Sequence, residues 1–187
     1  MFRHAATHGA GEKKMNRIKQ LHQHGEEGFT LIELLIVMSL ILILMTLAIP
    51  NLLNYRKQGN ETSAMASLRA INNAELQYST AYPTNQFTCS LSALGGQGAA
   101  GSAPSAQSAG LIPNDLATGQ KAGYTFTITN CTKVTINNTD MYTGYEVTAV
   151  PQSLGKAGTG NRGFCTDQSG EIKADPTGGT NCTQPIQ

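Results

Sequence analysis

Apolar and polar positions divide the chain into distinct stretches. Residues 1–28 are polar and charged, and Phe29 to Ile49 then forms an apolar run of 21 residues whose only ionisable side chain is Glu33. From Pro50 to about Tyr82, apolar residues recur at three-and-four spacing: Ala64, Met65, Leu68, Ile71, Tyr78 and Tyr82, with Glu75 as the one polar interruption. That period predicts a helix with one side packed on a globular body. "GGQGAAGSAPSAQSAG" (Gly95 to Gly110) is low in complexity and reads as a surface loop linking the helix to a sheet. Next comes strict alternation: Tyr124, Phe126 and Ile128 against Thr125, Thr127 and Thr129, a half-buried strand at Tyr124–Thr129 with "KVTI" pairing to it. "GYEVTAVP" predicts a strand at Tyr145–Val150 ended by Pro151. "RGFCTDQSGEIKA" predicts a hairpin of Gly163–Thr166 and Glu171–Lys173 about a turn at Asp167–Gly170. The order is a long helix, a loop and three or four antiparallel strands. A helix laid across one sheet face buries both apolar surfaces, so the fold class is α+β.

The apolar run has the length of a membrane span: 21 helical residues cover roughly 32 Å against a hydrocarbon core of roughly 30 Å. Its basic flank is N-terminal, with Arg3, Lys13, Lys14, Arg17 and Lys19 against Glu12, Glu26 and Glu27. The positive-inside rule therefore places residues 1–28 in the cytoplasm and the rest across the membrane, a single-pass topology. A secretory signal would carry a small-residue cleavage site after its apolar region. Here the small residue, Gly28, stands before the run, so a cut there removes the leader and keeps the helix. Pro50 removes a backbone donor and Gly59 weakens the helix, which predicts a pliable zone beyond the span.

Composition narrows the function. The chain of 187 residues has a formal net charge of +1, and from Phe29 onward eight Lys/Arg face nine Asp/Glu with no clustered basic face. No specific nucleic-acid partner is expected. All four histidines (His4, His8, His22, His24) precede Gly28, so a processed chain has no imidazole and no Ser-His-Asp or Cys-His arrangement. No P-loop or GxGxxG motif occurs. The chain reads as a non-enzyme without a cofactor. Cys89, Cys131, Cys165 and Cys182 form no CxxC pair, which argues against zinc, and an even count in a small exported domain predicts two disulfides. Four cysteines allow three pairings, and the spacing does not choose among them.

"GFTLIELLIV" (Gly28 to Val37) resembles the processing motif of type IV prepilins and type II secretion pseudopilins. The resemblance covers Gly28 to about Tyr82. It implies cleavage between Gly28 and Phe29, N-methylation of Phe29, and assembly roles for Glu33 and Pro50. It divides the chain into a leader (1–28), a transmembrane and assembly helix (29–50), its amphipathic continuation (51–82) and a pilin-like head (83–187). The head would hold the 95–110 loop, a 124–173 sheet and a C-terminal loop over 165–182. Pilins often staple that last loop, so the resemblance favours Cys165–Cys182 with Cys89–Cys131. Met15 offers an alternative start, giving a shorter leader.

The partners so implied are a membrane prepilin peptidase and methyltransferase, identical or related pilin subunits, and an inner-membrane assembly platform with a separate ATPase. The precursor would sit in the bacterial inner membrane, and the mature subunit in an extracellular pilus used for adhesion or motility. A periplasmic pseudopilus of type II secretion and a minor or competence pilin share the same N-terminal motif. Some pseudopilins bind calcium near the C-terminus, and Asp140, Asp167, Glu171 and Asp175 lie in that region. They match no EF-hand spacing and read as solvated turns, so no metal is expected.

Overall fold

The three-and-four spacing after Pro50 becomes the packing face of α1 (Leu31–Ala81, 51 residues) in the computed structural model, which describes residues 28–96 and 103–186. The leader up to residue 27, with Met15, and the 97–102 part of the glycine-rich loop lie outside the described residues. The chain divides into two units, residues 1–46 and 47–187. In the first, the described part is the opening of α1, and its large apolar side chains from Leu31 to Met45 are all exposed. Among the described residues no single helix is long and apolar enough to cross a membrane; Leu31–Thr46 and Asn51–Ala81 meet that requirement only together, as a bent pair, by length and composition. The helix begins at Leu31 rather than at Phe29, where the apolar run starts. The helix assignment runs through both Pro50 and Gly59.

The second unit lays residues 47–81 of α1 on a six-stranded antiparallel sheet, the α+β arrangement expected from the pattern. The strands are β1 (Gln120–Lys121), β2 (Tyr124–Ile136), β3 (Thr139–Pro151), β4 (Gly163–Asp167), β5 (Ile172–Asp175) and β6 (Gln184–Pro185), each paired with the next. Two one-turn helices, α2 (Leu91–Leu94) and α3 (Asn114–Ala117), fill the connection from α1 to β1. Ala64, Leu68, Ile71, Ala74 and Tyr78 of α1 meet Tyr124, Phe126, Tyr145, Val147, Ala149 and Phe164 of the sheet in one core. Met65 and Tyr82, on the same predicted stripe, are half-buried against it.

The sheet is larger than expected, for two local reasons. "KVTI" does not pair with Tyr124–Thr129 but prolongs it, because the register shifts between Thr129 and Thr132 where Asn130 takes a left-handed φ of 49°. A bulge of this kind bends a strand and lets pairing resume. Asn137 and Asn138, both at positive φ (50° and 63°), then close a tight hairpin into β3, the turn that matches strand twist. So β3 starts at Thr139 rather than Tyr145, and it includes Pro151. The later hairpin is β4 and β5, with its second strand starting at Ile172 rather than Glu171. The described end of the glycine-rich segment is not all surface: Ala109 is buried, and Ala106 accepts a hydrogen bond from the Tyr78 hydroxyl at 2.9 Å.

The β3–β4 connection, residues 152–162, is held to α1 by polar side chains that the helical pattern does not reveal. Buried Glu61 accepts Asn161 N–H at 2.9 Å with one oxygen, and with the other accepts Arg162 Nε (2.9 Å) and Nη2 (2.8 Å). Asn60 donates to Thr159 O at 2.8 Å. Gly160 packs against the Tyr124 ring so closely that a Cβ there would collide with the phenol. Higher on the helix, Asn72 donates to Thr166 (2.7 Å) and accepts from Tyr145 (3.1 Å), tying α1 to β4 and β3.

Candidate functional site

The Gly28–Phe29 junction lies just outside the first turn of α1. Phe29 is 89% exposed, and a Cβ on Gly28 would meet nothing within 4 Å. The helix begins where it does because Thr30 and Glu33 cap it reciprocally. The Glu33 carboxylate accepts Thr30 N–H at 2.9 Å and the Thr30 hydroxyl at 2.8 Å through one oxygen, Oε2, and Glu33 N–H donates back to Thr30 Oγ1 at 3.3 Å. This is a capping box, in which two otherwise unpaired helix-end donors are satisfied at once. The sequence signal, Thr-x-x-Glu ahead of an apolar run, was there to be read at Thr30–Glu33. Phe29 thus precedes the N-cap and lies outside α1, and the Glu33 carboxylate is engaged by Thr30.

Behind the cap, Leu31, Ile32, Leu34, Leu35, Ile36 and Val37 are each at least half exposed. Soluble monomers rarely show so extended an apolar surface, and one of this kind marks a membrane or partner contact. Ser39 and Thr46 turn their hydroxyls onto the Ile36 and Ile43 carbonyls, at 2.8 and 2.7 Å. Two of the few polar groups of the run are thus satisfied within it, as a low-dielectric surrounding requires. Pro50 falls in the second unit, and α1 is assigned through it.

Away from the N-terminus, the four cysteines form Cys89–Cys131 and Cys165–Cys182. The first ties the segment after α1 to the bulge in β2, and the second ties β4 to the C-terminal segment. In the chain-entropy account, closing loops of 42 and 17 residues stabilises by on the order of 3–4 kcal/mol each.

The acidic residues near the C-terminus serve local structure. Asp140 pairs with Lys133 at 2.5 Å, Asp167 accepts Ser169 N–H at 2.8 Å, Glu171 pairs with Lys173 at 3.4 Å, and Asp175 accepts the Thr177 and Asn181 amides. Hydrogen bonds from Lys133 and Thr135 hold the Asp140 carboxyl below its usual range, and those from Ser169 and Thr177 do so for Asp167 and Asp175. Among the described residues no three His, Cys, Asp or Glu come together as a metal site.

Glu75, which breaks the apolar stripe of α1, is fully buried. Its Oε2 accepts Thr88 N–H at 2.9 Å, while Oε1 is enclosed with no hydrogen-bond partner among the described residues. Burial pushes this carboxyl up to about 8, against the lowering effect of the Thr88 N–H. A buried charge without a counter-ion is costly, so the neutral acid is the form this site favours.

No curated protein and no solved structure matches the chain. One family model does: residues 24–49 fit the one described as "Prokaryotic N-terminal methylation motif". That segment includes the Gly28–Phe29 junction, the Thr30–Glu33 cap and the exposed apolar helix, and it marks structural proteins of the pilin type. The chain therefore carries the leader signature of type IV prepilins.

Proposed function

We propose that this chain is the structural subunit of a type IV pilus-like filament. It is made as a membrane-anchored precursor, cut between Gly28 and Phe29 by a prepilin peptidase that methylates Phe29, and polymerised through its apolar helix. The observation that carries this reading is the methylation motif over residues 24–49, laid on the capped opening of α1, whose large apolar side chains from Leu31 to Met45 are exposed. Its partners are the peptidase, further copies of the subunit, and an inner-membrane platform driven by a separate ATPase. The head, with its two disulfides, faces an oxidising exterior.

The physical role of Glu33 follows from the cap. Cleavage turns the Phe29 amide nitrogen into an ammonium, one residue before the N-cap of α1. The positive end of a helix dipole disfavours a cation there, and a carboxylate is the natural partner. Within one chain, Glu33 already holds Thr30 through Oε2. Its other oxygen is available to the amine of a neighbouring subunit in the filament. A pair about 4 Å apart gains on the order of 4 kcal/mol at an effective dielectric of 20. That gain is enough to fix the axial stagger of incoming subunits.

Glu33→Ala removes both cap and charge, whereas Glu33→Gln keeps a side-chain acceptor for Thr30 and removes the charge alone. Both variants are expected to insert and to be cleaved, with sheared filament yield falling at least about tenfold. Full assembly of Glu33→Gln in a shearing assay would contradict the charge pairing and leave only the cap.

A further inference from the structure

The second unit contains a groove of about 620 Å³ at the C-terminal end of the apolar run. Ile49 and Leu53 form its apolar wall, and Lys57, Lys156, Asn54 and Asn161 line it with polar groups. Lys57 is only 5% exposed. Its ammonium donates to Gly155 O at 2.6 Å and to Asn161 Oδ1 at 3.1 Å, both neutral oxygens. Among the described residues, neither Lys57 nor Lys156 has a carboxylate at ion-pair distance, and the nearby Glu61 is taken up by Arg162 and Asn161. A mostly buried ammonium held by dipoles alone is an incompletely compensated cation. The exposed Lys156 adds a second positive charge to the same groove.

Apolar on one side and cationic on the other, the groove complements an anionic amphiphile. Its place along the chain says which one. Ile49 is the last residue of the apolar run, and Lys57 follows it by eight residues, about 12 Å along a helix. That places the Lys57 backbone just beyond the lipid headgroup region of the membrane anchoring the precursor, within reach of headgroups for a long side chain, since helical side chains lean back toward the N-terminus. Basic side chains next to a span attract anionic lipid.

We propose that this groove binds the phosphate headgroup of an anionic phospholipid, with Lys57 and Lys156 on the phosphate and Ile49 and Leu53 against the upper acyl chain. The lipid holds the 152–162 connection and the base of the head against the membrane surface until the subunit leaves for the filament. This inference rests on the membrane-anchored precursor of the filament reading.

The test uses the full-length precursor in nanodiscs of phosphatidylcholine with and without phosphatidylglycerol. Native mass spectrometry reads retained lipid, and amide exchange reads protection of residues 153–161. Phosphatidylglycerol is expected to be retained preferentially and to protect this segment. Lys156→Gln, a change at an exposed side chain that leaves the Lys57 hydrogen bonds in place, is expected to cut the preference about fivefold. Equal retention of both lipids, or an unchanged preference in Lys156→Gln, would overturn the proposal. So would equal protection by inorganic phosphate in lipid-free detergent, which indicates a free-anion site. Protection that appears only on polymerisation in pure phosphatidylcholine also overturns it, since a second copy then fills the groove. A precursor that keeps the lipid preference in nanodiscs, yet is never processed in cells, would sink the filament reading and leave this one standing.

Discussion

Raising the pH from about 5 to about 8 is expected to lower the stability of the head by on the order of 4 kcal/mol, and Glu75→Gln to remove most of that loss. The folded carboxyl titrates at about 8, against an ordinary value of 4.5. Below the ordinary value both folded and unfolded states hold the proton, and Glu75 contributes no pH dependence. Between the two values the unfolded chain has released its proton and the folded chain has not, so each pH unit costs about 1.4 kcal/mol. Above the folded value both are ionised and the curve flattens.

Asp140, Asp167 and Asp175 act with the opposite sign: hydrogen bonds lower their folded values, so the stability they contribute is present above the ordinary value of 3.8 and lost as pH falls below it. The head is therefore most stable near pH 4.5–5, between these limits. The side chains that interact electrostatically with Glu75 include two phenols, Tyr78 on its own helix and Tyr145 on β3, and burial raises both above their ordinary values. They stay neutral across the window. Glutamine matches the shape of the neutral acid and keeps an acceptor for Thr88 N–H. Thermal unfolding of the whole chain in detergent, followed by near-ultraviolet circular dichroism, checks this; a Glu75→Gln curve parallel to the parent curve would refute it.

Gly28→Val is expected to block processing almost completely. The precursor then keeps its leader, and no filament forms even though the apolar helix and head are unchanged. Since a Cβ on Gly28 would meet nothing within 4 Å, and the helix begins only at Leu31, the substitution costs the fold nothing. Any loss must arise at the peptidase, whose pocket would have to accept a branched side chain. Immunoblotting of cell and sheared fractions separates a larger, cell-bound species from the mature one. A Gly28→Val chain of mature mass on the cell surface would place the cut elsewhere.

Much of the fold was legible because it rests on period. The stripe through Ala64, Leu68, Ile71 and Tyr78 and the alternation of Tyr124, Phe126 and Ile128 are burial patterns that survive without knowing what they pack against. What escaped depends on single residues or on long-range partners. The length of β2 turns on Asn130 and the Asn137–Asn138 pair, whose left-handed backbone resembles a loop in sequence. Nothing in the sequence marks Glu61, Lys57 and Arg162, because nothing local shows that the 152–162 connection will fold over them. The N-terminal site was the most legible part, since its residues lie in one short run. Even there the charge of Glu33 masks its second role, as the hydrogen-bonding partner of the Thr30 cap. Glu75 stands out in sequence as a break in the stripe, but only its burial shows that it is held as a neutral acid.

The central claim is that the apolar helix outlives its leader and becomes the means of assembly. Mass spectrometry of the N-terminal peptide from sheared surface filaments of the native host tests it most directly. The account predicts a peptide beginning at N-methylated Phe29, abundant and free of any leader residue. A chain that still carries Gly28 and the residues before it, and that runs as a monomer, would contradict it.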